Sequence, residues 1–356
     1  MSGTPKLRVV LVGLGRMGKN HFRVLRQSSR FELVAVVERV GPAPEPNELG
    51  ATRFVRDMTE LEDIDFDCAV VATPTVTHFD VASALVRRRK HVLVEKPLAS
   101  SFEKSAALVE LAREHGIHLV VGHVERFNPA VRKLREAIRE GWIGTPIHFN
   151  VTRVGGWPDT LVSENNVVLD LAVHDIDVLR SLLGPLRLEA SLCHATVQPG
   201  VCDTAEILLA SRTGVSVTVH VNWITPTKIR QLRVTGTRAV CFVDYMLQTV
   251  TLVGGDLLKN KVEHSVPFEQ LIEMYKNSDR IEFGIKKEEP LKVELEQFHA
   301  LISTGERGDL CLGADASRAV LLADRALTRG LLETKMPTTL TTSTEMVMAA
   351  ATDEFV

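Results

Sequence analysis

Cysteine is scarce and badly spaced for chemistry. Cys68, Cys193, Cys202, Cys241 and Cys311 make an odd set, far apart and without a C-x-x-C pair. That pattern speaks against a disulfide framework or a zinc ribbon, and the five read as small buried hydrophobes in a reducing compartment. HExxH and close Cys/His spacings are missing too, so no metal centre is expected. Aromatic residues make up only 5 %, with 2 Tyr and 3 Trp. Few stacking platforms are therefore on offer to single-stranded nucleic acid. A basic excess is also absent, since 42 Lys plus Arg face 45 Asp plus Glu for a net charge of -3. Nucleic-acid binders need a cation surplus for phosphate contacts, so no such partner is expected. No apolar run approaches the roughly 18 residues of a membrane span. The opening MSGTPKLRVVLVGLG is too poor in basic residues, and its apolar core too short, for a signal peptide. A cytoplasmic protein is the expectation.

What is present is a chain of 356 residues, long enough for two domains at about 150 residues each. Apolar runs at Leu7–Val12, Phe31–Val37, Phe66–Ala72, His91–Val94 and His118–Gly122 alternate with helical spacing at Met17–Gln27, Phe79–Arg89 and Ser101–His115. Strands apolar on both faces and separated by helices predict an α/β, doubly wound parallel sheet, ending near residue 123. The pattern then changes. Helices are predicted over Pro129–Glu140 and Val167–Leu183, the latter stopped by Gly184-Pro185. From Leu186 to Val253, short runs alternate apolar and polar residues between Gly, Pro and Asp punctuation, the pattern of an antiparallel sheet with one covered face. Two late helices, Val293–Leu301 and Ala314–Gly330, complete an α+β domain over 124–336 with a mostly antiparallel open sheet. The segment 337–356 reads as a tail, mobile or packed on a partner. An open sheet needs its bare face covered, so a homodimer or homotetramer through the C-terminal sheet is expected.

The first strand runs straight into Gly13-Leu14-Gly15-Arg16-Met17-Gly18. In this strand–loop–helix setting, GxGxxG predicts a dinucleotide site. Gly13 permits the turn, Gly15 lets the backbone approach a pyrophosphate, and Gly18 lets the helix pack closely. Arg16 and Met17 open the helix whose N-terminus faces the phosphates. Glu38 closes the second strand, where a carboxylate binds the ribose hydroxyls and repels a 2′-phosphate, favouring NAD over NADP. Adjacent Arg39 is either a 2′-phosphate contact or a solvated residue near the adenine.

Three further segments carry a family resemblance: Ala72-Thr73-Pro74-Thr75 with His78, Glu95-Lys96-Pro97, and Asp170-Leu-Ala-Val-His174. With the glycine loop they resemble the Gfo/Idh/MocA family of NAD(P)-dependent sugar and polyol dehydrogenases. The stretches GHVERFNPAV and LDLAVHDIDVLRSLLG are similar to a sugar 3-dehydrogenase subgroup. That resemblance implies oxidation, or reverse reduction, at C3 of a hexose or hexosamine, nucleotide-linked or in an aminoglycoside, ahead of transamination. Another polyol such as inositol, or a silent NAD-binding regulator, are the alternatives. The resemblance also implies a cis bond at Pro97.

Oxidising a secondary alcohol requires a base beside the hydroxyl while hydride leaves its carbon. Lys96 lies past a strand's carboxyl end, where ligands of such sheets bind. Asp170 and His174 are one helical turn apart and share a face. Lys96, His174 and Asp170 are the expected catalytic residues, and either Lys96 or His174 takes the proton. Asp177 is a weaker candidate for orienting His174, and Asp175 points off that face. Glu95 is expected to anchor substrate, cofactor ribose or the lysine. Thr73 and Pro74 are expected at the nicotinamide half, and His78 either there or in local packing. His123, Glu125, Arg126 and Asn128 form a polar cluster at the domain junction. Arg153, Trp157 and Asp159, read as a loop, are candidate pocket caps. All but Asp159 join Lys96, Asp170 and His174 as expected substrate contacts.

Overall fold

The structure is a computed structural model describing residues 6–158, 166–254 and 280–331. The tail 337–356 and Asp159 lie outside the described residues. The N-terminal part runs β1 (Leu7–Val12), α1 (Arg16–Arg26), β2 (Phe31–Val37), α2 (Pro46–Leu49), β3 (Arg53–Val55), β4 (Cys68–Val71), α3 (Thr75–Arg87), β5 (His91–Glu95), α4 (Phe102–His115) and β6 (Leu119–Gly122). After α5 (Pro129–Arg139) and β7 (Pro146–Val154), a wide π-helical turn at Val168–Ala172 leads into α6 (Val173–Leu183). The strands β8 (Leu186–His194), β9 (Thr204–Ser211), β10 (Ser216–Asn222), β11 (Ile229–Gly236), β12 (Ala239–Asp244), β13 (Thr249–Gly254) and β14 (Arg280–Glu282) follow. The described chain ends with α7 (Pro290–Thr304), β15 (Cys311–Leu312) and α8 (Gly313–Gly330).

The first sheet has the order β15-β6-β5-β4-β1-β2-β3. Its β1–β6 pairs are parallel, as the doubly wound expectation requires. The reason is burial: β4 is buried along its whole length, and helices cover both faces. The second sheet runs β14-β13-β12-β11-β7-β10-β9-β8. It is antiparallel except where β7 lies parallel to β10. One face packs on α6 and α8 around Phe149, Val219, Ile176 and Ala323. The other carries Asn150, Thr152, Thr218 and Thr251 with the exposed Leu208 and Phe242. Among the described residues, no helix is long and apolar enough to cross a membrane.

Two features depart from the sequence reading. Residues 146–154 are not a loop but β7, at the middle of the second sheet, so Arg153 stands on a strand. Nor is the chain simply two consecutive blocks. Near its end it returns to the first domain: α7 buries Leu291, Leu295 and Phe298 in one cluster with Leu11, Phe31 and Leu33. β15 then adds an antiparallel edge to β6. α8 bridges the halves, with Ala316 in the first domain's core and Ala319, Leu322 and Ala326 in the second's.

Phe298 is fully buried and stacks on Phe31 at 6.5 Å. Truncating such a ring leaves a cavity as well as lost transfer energy. Phe298→Ala is expected to destabilise the fold by about 3–4 kcal/mol, read as a lower urea midpoint. A shift under about 1 kcal/mol would mean that α7 is not integral to the first domain.

Candidate functional site

The glycine loop has the geometry its sequence calls for. Gly13 has φ +98, and a Cβ there would lie 2.7 Å from the Ala72 carbonyl oxygen. A Cβ on Gly18 would come 2.1 Å from the Gly13 carbonyl oxygen, so only hydrogen allows the helix this close. Gly15 has open space where its Cβ would be. It caps α1 without any side-chain cap, and the first turn holds no acid. The free N–H groups and positive dipole end of α1 thus face an open concavity, which fits a diphosphate. Arg16 and Met17 are the first two residues of that helix.

Glu38 lies beside this loop and accepts from the Leu14 N–H at 2.6 Å and from the Val40 and Gly41 N–H groups at 3.0 Å. Partial burial raises its pKa, but these N–H donors and the Arg56 charge outweigh that and hold it below the usual range. It stays ionised with lone pairs to spare for ribose hydroxyls. Arg39 is exposed. The sequence reading missed Arg56, which donates to the carbonyls of Glu38 and Gly41 and closes this corner.

The catalytic candidates meet where the halves face each other. Lys96 follows β5, and the Lys96–Pro97 peptide is cis, as the resemblance implied. The Lys96 Nζ donates to Asp170 Oδ1 at 3.0 Å and to the Asp170 carbonyl oxygen at 2.8 Å. Asp170 Oδ2 also accepts from Trp223 Nε1 at 3.3 Å. Burial pushes Asp170 up, but the Lys96 charge and bond, Trp223 and the Arg16 charge together pull it below its ordinary value. A small cleft of about 80 Å³ opens here, lined by Thr75, Val76, Lys96, Pro97, Ser100, Asn166, Leu169 and Asp170.

His174 is one turn along, with a buried Nδ1 that meets no partner among the described residues. Burial, then the charges of Lys96, Arg153, His123 and Arg230, drive its pKa well below the ordinary value. It is neutral at physiological pH, with a nitrogen lone pair available as a base. Beneath Lys96, buried Glu95 accepts from His21 Nε2 at 2.7 Å and from the Lys96 N–H at 3.2 Å. Its oxygens lie 3.2 Å from where a Cβ on Gly122 would be, so Gly122 leaves room for the carboxylate. Glu95 is thus an anchor for the lysine loop, one of the roles expected of it. His21 was not anticipated, because an isolated helical histidine gives no local signal.

Several expected ligand contacts are instead scaffolding. His78 is buried with Nδ1 2.9 Å from the Pro97 carbonyl oxygen and Nε2 2.9 Å from that of Thr73. Burial lowers its pKa, so the neutral ring donates to one carbonyl and rests against the other. It ties Thr73 and Pro74, the cap of α3, to the lysine loop rather than reaching the cofactor. Arg153 is 1 % exposed and fully engaged, with Nε and Nη2 on Asp175 at 2.6 and 3.1 Å and Nη1 on Glu125 at 3.0 Å. Arg126 Nε and Nη2 each donate to Asp177 at 2.6 Å. Asn128 caps α5 through the Ala130 N–H and donates to Glu125 and to the Tyr245 carbonyl. Arg126, Asn128, Arg153 and Glu125 therefore position the site from behind, with no free fork left for a sugar. Asp177 serves Arg126 and does not orient His174, while Asp175 points off the catalytic face as expected.

His123 is buried at 6.5 Å from the His174 ring. Neither of its ring nitrogens makes a hydrogen bond among the described residues, and Nδ1 lies 3.8 Å from Asp177 Oδ2, an ion-pair contact. His123, Asp177 and Cys311 bring ligand-type atoms within 4.8 Å of one another. Both Asp177 oxygens are taken by Arg126, whose charge already supplies the cation there. Trp157 packs edge-to-face on Trp223 at 5.8 Å, behind Asp170.

Residues 7–123 match the oxidoreductase family with an NAD-binding Rossmann fold, and residues 131–241 match the GFO/IDH/MocA C-terminal domain. The chain belongs to the Gfo/Idh/MocA family. Among curated relatives of this family, scyllo-inositol 2-dehydrogenase (NAD(+)) of Bacillus subtilis is 35% identical over 50% of this chain and 54% of its own. UDP-N-acetylglucosamine 3-dehydrogenase of Acidithiobacillus ferrooxidans is 24% identical over 68% of this chain and 76% of its own. The chain spans about half to two thirds of the length of the first such relatives. The solved structure of the A. ferrooxidans enzyme superposes with TM-score 0.75 at 21% identity, covering 91% of this chain and 98% of that one. Levoglucosan dehydrogenase with NADH and levoglucosan gives 0.77 at 19% identity, covering 92% and 97%. Both share the fold described above.

The buried histidines set an acid limit on stability. His78, His123 and His174 all have folded-state pKa values lowered first by burial. As pH falls through about 6.5, the unfolded chain takes up protons that the folded chain refuses, so acid favours unfolding. Unfolding free energy is expected to drop by up to about 1.4 kcal/mol per pH unit for each such ring as pH falls below about 6.5. His123→Gln should flatten that slope in urea titrations; an unchanged slope would mean the ring titrates freely in the fold.

Proposed function

We propose that the protein is an NAD(H)-dependent dehydrogenase of a ring secondary alcohol. Its substrate is the C3 hydroxyl, or the 3-ketone in reverse, of a hexose or hexosamine unit, nucleotide-linked or in an aminoglycoside. The reaction fits ahead of a transamination, which consumes a ketone. The observation that carries this reading is the Lys96–Asp170 pair across the domains with neutral His174 beside it. When bound, the dinucleotide supplies a carbon centre that exchanges hydride. Gly13, Gly15, Gly18 and the α1 N-terminus would hold its diphosphate, Glu38 its ribose, and the Thr73-Pro74 edge its nicotinamide half.

The chain's own residues then do three things. Lys96 points its ammonium at the reacting oxygen and stabilises negative charge developing there. His174, held neutral by its surroundings, accepts the hydroxyl proton at a ring nitrogen, or returns one to a ketone. Asp170 fixes Lys96 and turns its donors toward the cleft. An NAD preference over NADP follows from the ionised Glu38 carboxylate.

Two readings of the substrate are supported by different relatives. The sugar C3 reading rests on the A. ferrooxidans relative, whose alignment runs through more of both chains. A cyclitol reading rests on the higher identity of the B. subtilis relative over a shorter span. NADH formation at 340 nm with UDP-hexosamines, aminoglycosides and inositols separates them. Lys96→Met is expected to lower turnover by about 1000-fold or more while leaving NADH binding intact. Turnover within a few-fold of the parent would remove Lys96 from the reaction.

The outer face of the second sheet is proposed as a self-association surface, since Leu192, Leu208 and Phe242 are exposed on it. Light scattering should report a dimer or tetramer, and Phe242→Arg should shift it toward the monomer. A monomeric parent at working concentration would sink the idea.

A further inference from the structure

Among the described residues, Arg230 is a cation near this site whose side chain makes no hydrogen bond. It is the direct cross-strand partner of Arg153 in the β11–β7 register, so both side chains leave the sheet on the same face. Like charges directly opposite one another disfavour a sheet, and the structure resolves only one of the two. Arg153 is saturated by Asp175 and Glu125. The other Glu125 oxygen accepts from Asn128. Arg230 is left with Nη1 at 3.8 Å from Glu125 Oε1, an ion-pair contact beyond hydrogen-bond range. Among the described residues no acceptor meets its fork.

Its place is as telling as its lack of partners. The side chain is 35% exposed, where that of Arg153 is 1% exposed, so the guanidinium is open to solvent and to a ligand. His174 and Asp170 both interact electrostatically with Arg230, so the guanidinium lies near the proposed base. Nearby carboxylates are all committed: Asp170 to Lys96, Asp175 and Glu125 to Arg153. A planar fork with unused N–H groups matches two oxygens of a carboxylate or phosphate better than a lone hydroxyl.

We propose that Arg230 anchors an anionic group of the substrate, carboxylate or phosphate, while Lys96 and His174 act on a ring hydroxyl. This inference rests on the proposed dehydrogenase reading and narrows it to an acidic or phosphate-bearing sugar. Arg230 is then a specificity residue, separate from the proton-transfer groups.

The test uses the full chain, the parent and the variants Arg230→Gln and Arg230→Lys. Binding is read first, by thermal shift of NADH-loaded protein titrated with UDP-N-acetylglucosamine, N-acetylglucosamine, glucuronate and scyllo-inositol. A charged probe should bind the parent saturably, and Arg230→Gln should weaken it about 100-fold with Arg230→Lys in between. The two charged probes distinguish a phosphate from a carboxylate anchor. In turnover, Arg230→Gln should raise KM for the charged probe and leave kcat within a few-fold. Equal loss for charged and neutral probes, or tighter parental binding of the neutral ones, overturns the proposal. So does failure of both charged probes to bind. Probe binding without NADH formation would count against the dehydrogenase reading and leave the anion anchor standing.

Discussion

The site depends on one contact between the halves of the molecule: the Lys96 ammonium on the Asp170 carboxylate and carbonyl. Each partner lies on an element that has little reason to hold it there alone. Lys96 ends a strand of the first sheet, and Asp170 sits in the wide turn before α6. With the two brought together, the lysine's charge holds Asp170 ionised and its field helps keep His174 neutral. One ion pair thereby sets two protonation states that alcohol chemistry needs side by side.

The segment from Asp170 to Asp177 divides its work by helical face. Asp170 faces Lys96 and the cleft with His174 one turn along, whereas Asp175 and Asp177 look away and clamp Arg153 and Arg126. Such buried pairs are weak contributors to net stability, but breaking one strands a charge. Their use here is positional. They fix the helix to β7 and to the loop after β6, so the imidazole cannot drift from the lysine.

Much of this was legible in the chain. GxGxxG, EKP and DxxxH each pair a local backbone demand with a side-chain demand; the structure joins the last two through Lys96 and Asp170, with Arg16 of the glycine loop near enough for its charge to act on Asp170. What failed did so for physical reasons. β7 went unseen because its inner face carries Arg153 where a strand pattern expects an apolar residue. The scaffolding roles of Arg126, Asn128 and His78 depend on partners distant in sequence, which no periodicity reports. Arg56 and Arg230 were invisible for the same reason, being meaningful only beside Glu38 and Arg153. The return of α7 and β15 leaves no local trace either, since an amphipathic helix does not say which sheet it will cover.

That return has a consequence for how the protein is made. β1 and β2 leave the ribosome roughly 250 residues ahead of α7, the helix that packs with Leu11, Phe31 and Leu33. At an elongation rate of about 5–20 residues per second, the nascent chain carries an apolar sheet face covered by α1 but not yet by α7 for some tens of seconds. The first domain is therefore a poor candidate for independent expression, and the nascent chain is a natural client for a ribosome-associated chaperone.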